Sequence, residues 1–151
     1  MLDEKDRQIL DLLQSEGRIS NAELARKIGL SAPSTLQRLR KLEESGIIAQ
    51  YTTHLSREAL GYGLLVIALV GLSLHEEKAI ETFRDTVVGM PEVLEVLHIS
   101  GEHDFMLKIV VPDMGAYRDL IYDTLSKIPG VGKIHSCFVL ASDKETTRLP
   151  L

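Results

Sequence analysis

Two helix-start signals eleven residues apart, with a glycine between them, constrain this chain more than any other feature in it. Ser20 stands three residues ahead of Glu23, the spacing at which a serine hydroxyl and a carboxylate cap a helix start reciprocally. Ser31 is followed by Ala32 and Pro33, and a proline fits the first helical turn, where its missing N–H would have had no partner. Between the two lies the tight-turn tripeptide Ile28-Gly29-Leu30. The spacing predicts two short helices meeting at a glycine. Arg26 to Lys41 also carries five cations (Arg26, Lys27, Arg38, Arg40, Lys41) and no Asp or Glu. A helix pair of this form, with hydroxyls and arginines on its second member, reads as a helix-turn-helix whose second helix lies in a DNA major groove.

A net charge of -5 opposes that reading until it is divided along the chain. Residues 1–60 balance nine Lys/Arg against nine Asp/Glu, whereas residues 61–151 hold eight against thirteen. The acidity belongs to the second half, and a neutral first half with one cationic face still binds phosphates locally. The lone Cys137 has no partner for an intramolecular disulfide. The start MLDEKDRQ has no secretory-leader pattern. Leu64 to Val70 is the longest unbroken apolar run, far short of the roughly 20 residues of a membrane helix. The expectation is a cytoplasmic protein that does not enter a membrane.

Along the chain, Leu2, Ile9, Leu10, Leu12 and Leu13 form a helical stripe from about Asp3 to Glu16, closed by Gly17. The Ser20-capped helix turns Ala22, Leu24, Ala25 and Ile28 inward. The third helix, about Ala32 to Ser45, is expected to place Leu36, Leu39 and Leu42 on the core side and Ser34, Thr35, Gln37, Arg38 and Lys41 partly or wholly outward. Ile47 to Thr53 is a β-prone run, making a winged variant whose wing is short or reduced to a connector. From Leu64 the pattern is strand (Leu64–Leu74), helix (Glu76–Val88), strand (Val93–Ser100), strand (Phe105–Val111), helix (Met114–Lys127) and strand (Lys133–Leu140). That order, βαββαβ, is ferredoxin-like. The fold class is therefore α+β, with a winged helix-turn-helix domain (1–50), a hinge (51–63), a ferredoxin-like domain (64–141) and a tail (142–151). A four-stranded sheet with both helices on one side leaves its other face bare, which predicts a homodimer through that face or an edge strand.

The segments LDEKDRQIL, GRISNAELARKIGLS, RLRKLEESGII, SGEHDFMLK, VPDMGAYR and ETTRLP together resemble the Lrp/AsnC family of feast/famine transcription regulators, in the right order and over essentially the whole chain. The resemblance implies binding to double-stranded DNA operators by dimers assembled into larger rings or discs, octamers among them. It also implies a small effector, commonly an amino acid, held between subunits by the second domain.

For the groove, Arg38 and Gln37 are the base-edge candidates, since guanidinium matches guanine and carboxamide matches adenine. Ser31, Ser34 and Thr35 suit phosphate or base contacts near a helix start, and Arg40, Lys41, Arg26 and Lys27 supply charge. The second constellation is Ser100-Gly101-Glu102-His103-Asp104, where two carboxylates and a histidine can receive an ammonium or donate to a carboxylate; a solvated hairpin turn is the plainer alternative. The resemblance carries effector binding to Gly101, Glu102 and Asp104, beside His103, with Met114, Cys137 and Phe138 as the far wall. Glu102 stands where the family often has Asp, and His103 where an aromatic is frequent. His98 and His103 match no zinc spacing, Cys137 reads as a small buried hydrophobe, and His54, His75 and His135 read as isolated surface residues. No cofactor is expected, and no phosphate loop, nucleophile elbow or Cys/His dyad marks an enzyme. The rival is a metabolite-sensing or enzymatic module whose helical head binds protein.

Overall fold

The computed structural model describes residues 2–73 and 77–151. The expected strand end at Leu74, helix start at Glu76 and surface position of His75 lie outside the described residues. The chain divides into two compact units, Met1–Leu55 with Lys144–Leu151, and Ser56–Asp143.

In the first unit, α1 (Glu4–Ser15) starts from a capping box: the Asp6 N–H donates to Asp3 Oδ1 at 2.9 Å and the Asp3 N–H donates to Asp6 Oδ2 at 3.2 Å. Ser20 caps α2 (Asn21–Ile28), which ends at Gly29 with a φ of 69°, a left-handed turn that favours glycine. Ser31 caps α3 (Ala32–Glu44) by accepting from the Ser34 N–H. Ile9, Leu10, Leu24, Ile28 and Leu42 form the core of the three helices. Ala22, expected inward, is exposed, because Leu24, Ala25 and Ile28 already define the buried side of α2. Ile47 to Thr53 forms no strand; Ile48 packs on the core and Tyr51 donates from its hydroxyl to Glu43 at 2.8 Å, so the run is a connector. The closing segment returns to this unit. Arg148 pairs with Asp11 at 2.9 Å, and the Gln14 carboxamide both accepts from the Leu149 N–H and donates to its carbonyl.

In the second unit, β1 (Leu64–Leu72), α4 (Glu77–Val88), β2 (Val93–His98), β3 (Phe105–Val111), α5 (Met114–Asp123), a short 3-10 turn (Leu125–Lys127) and β4 (Val131–Phe138) follow in order. Strands pair in the order β2-β3-β1-β4, every pair antiparallel. The helix predicted to reach Lys127 instead breaks at Thr124. The core is built by strand alternation: Val66, Ala68, Val70 and Leu72 of β1 and Phe105, Leu107, Ile109 and Val111 of β3 meet Phe83 and Val87 of α4 and Tyr117 of α5. Ile67 and Leu69 on β1, Met106 and Lys108 on β3, and Leu97 on β2 point to the opposite face, which the described helices leave uncovered, while Leu65 and Val110 at one end of that face are buried.

Candidate DNA interface and effector turn

The outward face of α3 follows from about 100° of rotation per residue. Relative to Leu42, Thr35 lies only about 20° away and Arg38 about 40°, whereas a step of three residues drifts by about 60°, so Leu36 ends about 120° from Leu42. Burial agrees: Thr35 is 0% exposed, Leu42 3% and Leu36 37%. The expectations that Leu36 faces the core and that Thr35 faces outward are therefore corrected, whereas Arg38 is partly outward. Spacings of three drift around a helix; 35, 39 and 42 trace its buried stripe.

Thr35 donates from its hydroxyl to the Ser31 carbonyl at 3.0 Å. Arg38 reaches back to α1, its Nη1 lying 2.6 Å from Asp3 Oδ2 and 2.7 Å from Asp6 Oδ1. The arginine expected to read a base edge thus grips the two carboxylates of the α1 capping box. The Asp6 N–H holds the Asp3 carboxyl below its usual range, and the Arg38 guanidinium adds to this. Arg38 is itself raised, chiefly by Asp3.

The other candidates divide. Ser31 serves as the cap, Lys27 pairs with Glu16, and Arg26 sits 3.5 Å from Glu23 in an exposed pair. Gln37, Arg40 and Lys41 are exposed and Ser34 half-buried; among the described residues neither Arg40 nor Lys41 makes an ion pair. Pro33, Ser34, Leu36, Gln37, Arg38, Arg40, Lys41 and Glu44 share one open groove along α3, with Asp3 and Asp6 at its α1 side. Asn21, which sequence reasoning passed over, donates from its side chain to the Ala32 carbonyl at 3.0 Å and so ties the start of α3 to α2. An asparagine one residue after a cap carries no periodic signal by which to find it.

The Asp3 shift gives a pH dependence. A carboxyl whose folded pKa lies below its unfolded value contributes stability that is full above the unfolded pKa and is lost as pH falls through the folded one. The helical unit should therefore weaken on acidification below about pH 4. Asp3→Asn keeps a good cap but removes the charge facing Arg38. It should lower the unfolding temperature at neutral pH and flatten the acid limb; an unchanged acid limb in thermal melts would detach Asp3 from the effect.

In the second unit Gly101 adopts a φ of 126°, a left-handed backbone that favours glycine, and Glu102 beside it is exposed. Asp104 closes the end of the sheet: its carboxylate accepts from the Leu72 N–H at 2.7 Å, and its own N–H donates to the Val70 carbonyl at 2.9 Å. The His103 ring stands 6.3 Å from that of His135, and His98 stacks on Phe105 at 4.7 Å. Among the described residues no group of three or more His, Cys, Asp or Glu is placed to hold a metal ion.

Met114, Cys137 and Phe138 lie towards the other end of the sheet. Phe105 pairs with Val70 and Phe138 with Val66, which puts Asp104 and Phe138 about 16 Å apart along β1 at strand rise. One chain does not bring the two groups together. Phe138 instead meets the Tyr117 ring at 5.5 Å, and Tyr117 shares a 2.6 Å hydroxyl contact with Ser136. Cys137, expected to be buried, is exposed, because it pairs with Ile67 on the uncovered side of an edge strand.

A family model for the Lrp/AsnC ligand binding domain matches residues 65–149, and one for winged helix-turn-helix DNA-binding matches residues 2–49. The leucine-responsive regulatory protein of Escherichia coli is 40% identical over 148 residues, covering 98% of this chain and 90% of its own. Transcriptional regulator AzlB of Bacillus subtilis is 38% identical over 151 residues, 100% of this chain and 96% of its own. A solved structure of a transcriptional regulator from Neisseria meningitidis, in complex with L-Met, is similar with a TM-score of 0.96 at 39% identity, covering 99% of this chain and 97% of that one.

Proposed function

The chain belongs to the Lrp/AsnC family of DNA-binding transcriptional regulators, with a ligand-binding domain after its helix-turn-helix, and from that premise we propose how its own residues divide the work. The observation that carries the proposal is the outward face of α3, where Gln37, Arg40 and Lys41 stand exposed on one groove. Gln37 and Ser34 touch base edges, and Arg40 and Lys41 grip phosphate, with Arg26 and Lys27 adding charge at the flank. Ser31 and Thr35 set the start of the helix. Arg38 fixes the helix against α1.

Selection of bound duplexes from a random pool tests the whole reading. An enriched motif with a steep salt dependence is expected, and neither appearing would return the head to a protein-binding role. Lys41→Ala and Arg40→Ala should each weaken binding across all sequences and reduce the slope of log affinity against log salt by about one. Unchanged slopes would take both residues off the phosphates.

Two copies pair through the uncovered sheet face and assemble further into a larger oligomer, so that two heads meet one partly palindromic site. The effector is an amino acid. The relative crystallised with L-Met supports that class, and so does the turn at Gly101, with Glu102 and His103 offering polar contacts and Asp104 holding its base. Because Met114, Cys137 and Phe138 sit at the other end of the same sheet, they complete the site only from a second copy. The ligand then favours one assembly geometry by as much as its affinity differs between the two. Calorimetry against the amino acids should show binding to the parent and weaker binding to Asp104→Ala; equal heats and affinities would remove Asp104 from the site.

A further inference from the structure

We propose that Leu36 reads the C5-methyl group of a thymine, with Gln37 beside it on the edge of an adenine. This rests on the groove assignment above. A scattered surface leucine needs no explanation, but the position of Leu36 does. It is 37% exposed on the outward side of a helix whose other residues on the open groove are polar, charged or proline. Arg40 and Lys41 beside it, without ion-pair partners among the described residues, suit a polyanion as the occupant of that groove. On the floor of a DNA major groove the thymine methyl is the apolar feature that distinguishes one base pair from another, and an aliphatic side chain is the group that matches it.

Arg38 supplies the second half of the inference. Guanine is most often read by an arginine or lysine reaching O6 and N7 together. The Arg38 guanidinium lines the same groove but is held at its α1 side by Asp3 and Asp6 at 2.6 and 2.7 Å, and leaving them would strip both carboxylates of the capping box of their cation. What remains to face the bases near the start of α3 is Ser34, Leu36 and Gln37. Leu36 and Gln37 are consecutive and differ by about 100° around the axis, so they address neighbouring pairs: a methyl for the leucine and the N6/N7 edge of adenine for the carboxamide.

The test uses the full chain and the strongest duplex from the random-pool selection. Each thymine of one half-site is replaced in turn by deoxyuridine, which deletes the methyl group and keeps every hydrogen-bonding atom. One position should weaken parent binding about fourfold, the worth of burying a single methyl group. Leu36→Ala should lose at least as much on the unmodified duplex and show no further loss at that deoxyuridine, whereas Leu36→Met, still apolar and of similar reach, should keep the sensitivity. Thermal melts establish that both variants fold. If no thymine matters to the parent, or if Leu36→Ala retains the full deoxyuridine penalty, Leu36 does not read the methyl. An enriched motif with steep salt dependence alongside either result would leave the groove assignment standing and overturn only this inference; no enriched motif and a flat salt response would overturn both.

Discussion

Ile67→Asp should convert the assembled protein to monomers and weaken operator binding by about 100-fold or more, while leaving each chain folded. Ile67 sits mid-strand on β1 with Lys108 and Cys137 as its cross-strand partners, on the face that α4 and α5 do not cover. In the single chain a carboxylate there is partly solvated and lies next to an ammonium, so the monomer tolerates it. In the proposed dimer the same carboxylate loses its water, and a charge buried in an interface without a full set of partners is strongly unfavourable. The DNA effect follows from valence. Once one head has bound, a second head tethered to it binds as an intramolecular event, a gain of order 10² to 10⁴ that a monomer forfeits. Sedimentation and operator titration read the two effects separately. If the variant still sediments like the parent, the uncovered face is not the interface.

β1 carried that information in the sequence. Its run LLVIALVGL lacks the apolar-polar alternation of a strand with one wet face, and such a run marks burial on both sides. The βαββαβ order was equally legible, because Gly89 and Pro91 follow α4, Pro129 and Gly130 follow the turn after α5, and each pair leads into a strand. The three-helix head was legible from its caps: Asp3, Ser20 and Ser31 all accept hydrogen bonds where a cap should. What sequence left hidden was orientation at single positions. Leu36, Leu39 and Leu42 look like a stripe because all are leucine, yet a period of three drifts off a face that repeats every 3.6 residues. Thr35 is buried instead and Arg38 half-buried at the edge of the groove, each held by a partner: the Ser31 carbonyl for one, and Asp3 and Asp6 for the other. Those partners lie four and about thirty residues away, and only the second distance is beyond local reading. Cys137 was misread for a related reason. Residue type favours burial, but its register opposite Ile67 places it on the uncovered face of an edge strand.

The effector turn shows the same division. Its residue types and its glycine were visible in the chain, whereas the tie from Asp104 to the Leu72 N–H depends on strand register. Asp104 is thereby a support as well as a candidate contact, and this makes the residue after it an informative place to perturb the site from below.

Phe105→Ala should cost the second unit about 3–5 kcal/mol, a large part of the roughly 5–15 kcal/mol that holds a domain together. Phe105 is 2% exposed at the start of β3, its ring centroid 4.8 Å from that of Phe83 on α4 and 4.7 Å from His98 on β2. Truncation opens a cavity where helix, sheet and turn meet, and close packing leaves little room to collapse around it. Phe83→Ala, at 0% exposure, should cost a similar amount. The two rings touch, so the double variant should lose less than the sum, because one cavity removes part of what the second substitution would have cost. The consequences differ by position. Phe83 anchors α4 only, but Phe105 directly follows Asp104, so its loss should also loosen the turn and lower amino-acid affinity beyond what Phe83→Ala does at equal destabilisation. Denaturant unfolding combined with calorimetry on the two variants decides the matter. Strict additivity would mean that the rings do not share a cavity, and equal ligand losses would mean that the turn does not depend on the ring beneath it.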